Sequence, residues 1–187
     1  MSGADAPLPP YCARPGAAVL ERAAAVRAAL FDIDGVLTDG TVYVSAGGEG
    51  LQAFHIHDGK GMRMLMEAGL EVAWITARGG GAVQARAEEL GVRHLIQGRT
   101  DKARALAELS ERLGVAPQAC AYTGDDLIDL EAIRRAGLGV AVVDAHPGVI
   151  AGADWVTERP GGRGAAREVS ELLLLAQDRL PPAGGGR

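Results

Sequence analysis

The sequence predicts an α/β protein built on a doubly wound parallel sheet with helices on both faces. Three observations predict it. Short apolar runs alternate with stretches of helical periodicity along most of the 187 residues, which is the pattern of repeated strand–helix–strand units. Glycines close the helical stretches, at Gly91, Gly114 and Gly137, because a left-handed residue commonly ends a helix. Asp32, Thr76 and Asp125 are far apart in sequence, yet each follows an apolar run. Parallel sheets collect their ligand-binding groups at that end of the strands.

Residues 1–16 are rich in Pro, Gly and Ala and are expected to be flexible, as is the glycine-rich tail 181–187. Residues 17–180 are expected to fold as one domain. A helix is expected over 17–27, with Leu20 and several alanines on its apolar face. The first strand is expected over 28–33. The β-prone stretches 41–44 and 51–56 flank Gly47, Gly48, Glu49 and Gly50 and read as a hairpin. His55 and His57 then read as alternating outward residues of that hairpin. Met62, Leu65 and Met66 recur at helical spacing and read as core.

Residues 71–75 form the next expected strand, and Val83, Ala87 and Leu90 mark a helix. A short strand over 93–96 precedes a helix carrying Leu106, Leu109 and Leu113 on one face, with Thr100 as its expected cap. Residues 119–123 read as a strand, Leu130 and Ile133 as a helix, and 138–143 and 154–157 as the last strands. Residues 165–179 are the closing helix.

Composition excludes several function classes. The net charge of -5 and the absence of a Lys/Arg cluster argue against nucleic-acid or anionic-membrane partners. Aromatics at 4% leave little for base stacking. Cys12 and Cys120 stand alone, which fits a reducing compartment and a cytoplasmic location. The four histidines show no zinc spacing with either cysteine. No basic region followed by an apolar core begins the chain. No apolar run reaches the roughly 20 residues of a membrane-spanning helix.

The chemistry centres on Asp32-Ile33-Asp34-Gly35. Residues i and i+2 of a strand point to one side, so two carboxylates leave the strand end together and need a cation, a shared proton, or both. Lys102 begins a helix, where its charge opposes the macrodipole and a bound anion is favoured. Asp32, Asp34, Asp125 and Asp129 outweigh Lys102 and one divalent ion, so a phosphate dianion is repelled unless more positive charge or a proton is present. Protonating Asp34 relieves the excess and makes it a general acid. An all-oxygen, carboxylate-rich site favours Mg²⁺ over Zn²⁺.

Asp32-Ile33-Asp34-Gly35-Val36, Ile75-Thr76, Lys102 and Gly124-Asp125-Asp126-Leu127-Ile128-Asp129 stand in the order of the four motifs of the haloacid dehalogenase superfamily, which the chain therefore resembles. The resemblance runs over about residues 20–180. Val36 to Gly40, the hairpin, Ala145-His146-Pro147 and Gly161-Gly162-Arg163-Gly164-Ala165 narrow it to the 3-deoxy-D-manno-octulosonate 8-phosphate phosphatases. It implies a Rossmann-like core and hydrolysis of that acidic eight-carbon sugar phosphate in lipopolysaccharide precursor synthesis. It implies Asp32 as nucleophile forming an aspartyl-phosphate, Asp34 as general acid then base, and Thr76 and Lys102 on phosphoryl oxygens. It implies Mg²⁺ held by Asp32, the Asp34 backbone carbonyl and Asp125. Asp126 or Asp129 is left to act through water or to orient Lys102. Arg78, Arg163, Lys60 and His57 are the candidate substrate residues. His57 stands where the family commonly carries Arg, a site at which substrate preference could differ.

The stretches between Asp32 and Thr76 and between Lys102 and Asp125 leave no room for a folded cap domain. A neighbouring subunit is expected to wall the site, with the hairpin at the contact, in a homotetramer. The alternatives are a phosphatase for a nine-carbon sialic-acid-like sugar phosphate and a non-catalytic phosphatase-like assembly module. A phosphorelay receiver domain fits less well, because its phosphorylated Asp follows its acidic pair in the chain.

Overall fold

The computed structural model describes residues 15–44, 46 and 50–181. Cys12, residues 47–49 of the expected turn, and most of both expected flexible ends lie outside them. A parallel sheet forms the centre. Its strands are β1 (Ala28–Phe31), β4 (Glu71–Ile75), β5 (His94–Ile96), β6 (Cys120–Gly124), β7 (Leu138–Ala141) and β8 (Trp155–Val156), in the order β5-β4-β1-β6-β7-β8. Ala28 pairs with Glu71 on one side and Cys120 on the other, so β1 is central. All four residues of β1 and all five of β6 are buried, as strands covered on both faces must be. β2 (Tyr43–Val44) and β3 (Gly50–Leu51) form a separate antiparallel hairpin.

The helices are α1 (Ala17–Ala24), α2 (Ile56–Glu67), α3 (Gly81–Leu90), α4 (Lys102–Leu113), α5 (Leu130–Arg135), α6 (Pro147–Ile150) and α7 (Ala165–Ala176). α7 packs against α1 and α2, while α4 packs against α5. The α2–α7 approach is close: a Cβ on Gly61 would come within 2.9 Å of the Arg167 Cα. Asp58, buried on α2, ties the two helices by accepting from Gly164 N at 3.2 Å and Arg167 N at 2.8 Å. One apolar cluster runs from Ala23 through Phe31, Trp74 and Tyr122 to Leu174.

Two local expectations are corrected and one element is added. The second hairpin strand stops at Leu51, so His55 and His57 are not strand residues. His55 caps α2 by accepting from His57 N at 3.3 Å, and its ring lies edge-on to His57. The helix starts there because Asp58 and Gly59 in its first turn are buried, a tertiary demand that overrides the β-prone run. Asp101, not Thr100, caps α4, accepting from Arg104 N at 3.1 Å. Helix α6, opened by Pro147 and capped by His146, was not anticipated.

Candidate active site

The main chain turns sharply just past β1. Asp32 N still donates to Thr123 O at 2.9 Å. Val36, Leu37 and Thr38 N then all donate to Ile33 O. Gly35 sits at φ +91°, and any Cβ there would overlap the Asp125 carboxylate. Glycine therefore lets the end of β6 press against the turn that carries Asp32 and Asp34.

Lys102 opens α4, yet its side chain is buried. Its Nζ donates to Asp32 Oδ1 at 2.5 Å and Ile75 O at 2.8 Å, and lies 3.6 Å from Asp129 Oδ1. A buried ammonium is tolerated only with such partners. Thr76, just past β4, donates to Asp34 Oδ2 at 3.1 Å and accepts from Arg78 N at 3.0 Å.

Asp129 is buried and fully engaged. Tyr122 OH donates to its Oδ1 at 2.7 Å, and Asp125 N and Asp126 N donate to its Oδ2 at 3.3 Å each. It lies 3.6 Å from the Lys102 ammonium and ties down the turn after β6. Asp126 is exposed; its carboxylate accepts from the neighbouring Leu127 N at 2.7 Å and its carbonyl from Asp129 N at 2.8 Å.

Carboxylate oxygens of Asp32, Asp125 and Asp129 lie within 4.8 Å of one another. Burial raises Asp32 from 3.8 to about 7, reinforced by Asp129 and opposed by Lys102. Burial and the charges of Asp32, Asp129 and Asp126 raise Asp125 to about 8. Burial beside Asp129 likewise pushes the Tyr122 phenol upward. This all-oxygen donor set with surplus negative charge fits Mg²⁺.

A cleft of about 450 Å³ opens beside Asp34, lined by Thr41, Leu51, Gln52, Arg78 and Gly80 among others. Arg78 Nε stands 3.9 Å from Asp34 Oδ1. Gln52 Nε2 donates to the same oxygen at 3.2 Å, a contact no sequence pattern announced. Gly162 N donates to Val36 O at 2.9 Å, and a Cβ on Gly161 would overlap Gly35 O. The Arg163 segment therefore rests on the Asp34 turn, with Arg163 Nη2 3.3 Å from Asp39 Oδ2. Lys60 lies on the exposed side of α2, 3.9 Å from Glu67, and His57 stands beside His55. Of the four candidate substrate residues only Arg78 lines the cleft; Arg163, Lys60 and His57 do not.

The family model of the haloacid dehalogenase-like hydrolases matches residues 88–168. The chain is 46% identical over 185 residues to 3-deoxy-D-manno-octulosonate 8-phosphate phosphatase KdsC of Escherichia coli (strain K12), covering 99% of this chain and 98% of that protein. The solved structure of the Yersinia pestis phosphatase of the same name is 47% identical, with a TM-score of 0.86 over 88% of this chain and 89% of that one. The Moraxella catarrhalis phosphatase, solved with a magnesium ion, a phosphate ion and a KDO molecule, is 41% identical, with a TM-score of 0.85 over 87% and 93%.

Proposed function

Because the chain belongs to the 3-deoxy-D-manno-octulosonate 8-phosphate phosphatase family of haloacid dehalogenase-like hydrolases, we propose that it hydrolyses that sugar phosphate with Mg²⁺. The products are the free sugar acid, a lipopolysaccharide precursor, and phosphate. The observation that carries this reading is the convergence of Asp32, Asp34, Thr76, Lys102 and Asp125 at one edge of the sheet.

Asp32 is the nucleophile: a carboxylate oxygen forms a bond to phosphorus as the bond to the sugar oxygen breaks. Asp34 gives its proton to that leaving oxygen. A water then attacks the aspartyl-phosphate, Asp34 takes the water's proton, and phosphate leaves. Thr76 and Lys102 hold phosphoryl oxygens. Asp32, the Asp34 backbone carbonyl and Asp125 would hold Mg²⁺, which supplies positive charge against the transferring group. Asp129 keeps Lys102 and the turn after β6 in place.

The substrate's carboxylate needs its own cation. Arg163 is the first choice, with Arg78 nearer the phosphate end; Lys60 and His57, which stand outside the cleft, are the second choice. Residues 17–180 act as one catalytic unit. Val44 and Leu51, each 77% exposed on the hairpin, supply an apolar surface for a neighbouring subunit, which supports a homotetramer. No helix among the described residues is long and apolar enough to cross a membrane. A cytoplasmic location fits the isolated cysteines.

Phosphate release from a panel of sugar phosphates tests the proposal. Turnover should require Mg²⁺, vanish with EDTA, and vanish in Asp32→Asn with the fold intact. Full activity in either case overturns the mechanism, and faster hydrolysis of a nine-carbon substrate overturns the named sugar.

A further inference from the structure

We infer that Gln52 is a positioning residue for the reaction, acting through Asp34. This rests on reading Asp34 as the general acid. Gln52 Nε2 donates to Asp34 Oδ1 at 3.2 Å, while Thr76 Oγ1 donates to Oδ2 at 3.1 Å. The two donors hold the carboxyl from opposite oxygens. Arg78 Nε, at 3.9 Å, is beyond hydrogen-bond distance, and its side chain is 56% exposed.

The two donors are not equivalent once substrate binds. A hydroxyl has one proton to donate. Thr76 gives it to a phosphoryl oxygen in the proposed complex and must then release Asp34. An amide has two N–H groups, and Gln52 has no phosphoryl duty, so it keeps its hold on Oδ1. Holding Oδ1 leaves Oδ2 as the oxygen that carries the proton toward the leaving group and later takes one from water.

Gln52 is itself well placed to hold. It follows directly on β3, which is paired with β2. Two residues further on, Phe54 stacks on the buried Trp74 with ring centroids 6.1 Å apart. The amide is thus fixed between the hairpin and an aromatic anchor on the sheet. An alkyl leaving group needs a proton and is sensitive to the acid's aim; a nitrophenolate needs none.

The test measures kcat and KM on 3-deoxy-D-manno-octulosonate 8-phosphate and on 4-nitrophenyl phosphate. The proteins are the wild type, Asp34→Asn, Gln52→Met, Gln52→Ala and the Asp34→Asn/Gln52→Met double variant, each with Mg²⁺ and checked by thermal unfolding. Met keeps the length of Gln and removes its donors. Both Gln52 variants should lower the ratio of kcat/KM on sugar phosphate to kcat/KM on nitrophenyl phosphate about tenfold, as for a lost hydrogen bond; kcat/KM is compared because it reports formation of the aspartyl-phosphate, whereas kcat also contains the hydrolysis step that both substrates share. The double variant should be no lower in that ratio than Asp34→Asn alone. A wild-type ratio in Gln52→Met, beside a depressed one in Asp34→Asn, overturns this inference and leaves Asp34 as the acid. A loss confined to KM makes Gln52 a substrate contact and also overturns it. A wild-type ratio in Asp34→Asn overturns both readings.

Discussion

The ammonium of Lys102 sits 2.5 Å from Oδ1 of Asp32, although the two residues are 70 positions apart in the chain. Helix α4 delivers the lysine and strand β1 the aspartate, and the same ammonium donates to Ile75 O at the end of β4. One buried cation thereby joins three elements and opposes the repulsion between Asp32 and Asp129.

Lys102→Met should therefore harm both stability and activity. It leaves Asp32 and Asp129 buried beside each other without their cation, and breaking such a pair typically costs about 3 kcal/mol. Denaturant unfolding of the metal-free protein should report a loss of that order. Turnover with Mg²⁺ should fall at least about 100-fold, as when an oxyanion-stabilising group is removed. Unchanged stability together with unchanged kcat would separate Lys102 from the site.

The pH dependence of Mg²⁺ binding has a definite sign. Burial and neighbouring carboxylates raise Asp32 to about 7 and Asp125 to about 8 in the metal-free protein. Raised carboxyl values mean that the folded state binds more protons than the unfolded one from about pH 4 to 8. The stability this contributes is complete below the unfolded values and is lost as pH rises through the folded values. Mg²⁺ needs the ionised forms, so each proton it displaces strengthens its affinity up to about tenfold per pH unit. Differential scanning fluorimetry should show a larger Mg²⁺-induced rise in Tm at pH 8 than at pH 6. The reverse order would contradict the assignment of these carboxylates as ligands.

Much of the site was legible because topology does the gathering. A parallel sheet places every strand's carboxyl end at one edge, so Asp32, Thr76 and Asp125 could be brought together from their positions after apolar runs alone. Helix ends were legible at Gly91 and Gly114, which adopt the left-handed conformation there. The start of α2 was not, because the β-prone run before it carries no period that distinguishes strand from cap. What fixes that start is burial of Asp58 against α7, more than 100 residues away. Nor was the hold of Gln52 on Asp34 legible, since it depends on where the hairpin folds back. The pairing of Tyr122 with Asp129 needed the turn after β6 to be known.

The hairpin should be the handle on assembly. Val42, Tyr43, Val44 and Leu51 are all exposed there, a clustered apolar surface of the kind that marks an interaction site. A phosphoryl-transfer site also benefits from walls that exclude bulk water. Leu51→Asp should reduce the assembled mass in light scattering, and kcat should fall with it. A wild-type protein that is monomeric at micromolar concentration would refute the tetramer.

The final prediction concerns the carboxylate end of the substrate. Arg78 lies beside Asp34, where the phosphate reacts, so the far end of an eight-carbon sugar acid falls to another cation. The segment that carries Arg163 is held against the Asp34 turn, because Gly162 N bonds Val36 O at 2.9 Å and Gly164 N bonds Asp58. Its present partner, Asp39, is a weak competitor: Arg163 is 65% exposed in that pair, and exposed ion pairs are worth little. A planar guanidinium can exchange it for a ligand carboxylate. Losing that contact should cost roughly 1.5–3 kcal/mol, or about 10- to 150-fold in preference. Arg163→Ala should therefore depress kcat/KM for 3-deoxy-D-manno-octulosonate 8-phosphate by that factor relative to 4-nitrophenyl phosphate. Asp39→Ala, which frees the guanidinium, should leave KM for the sugar acid unchanged or lower it. Equal losses on both substrates in Arg163→Ala would assign the residue to structure or to the phosphate, and Arg78, Lys60 and His57 would then be the cations to replace next.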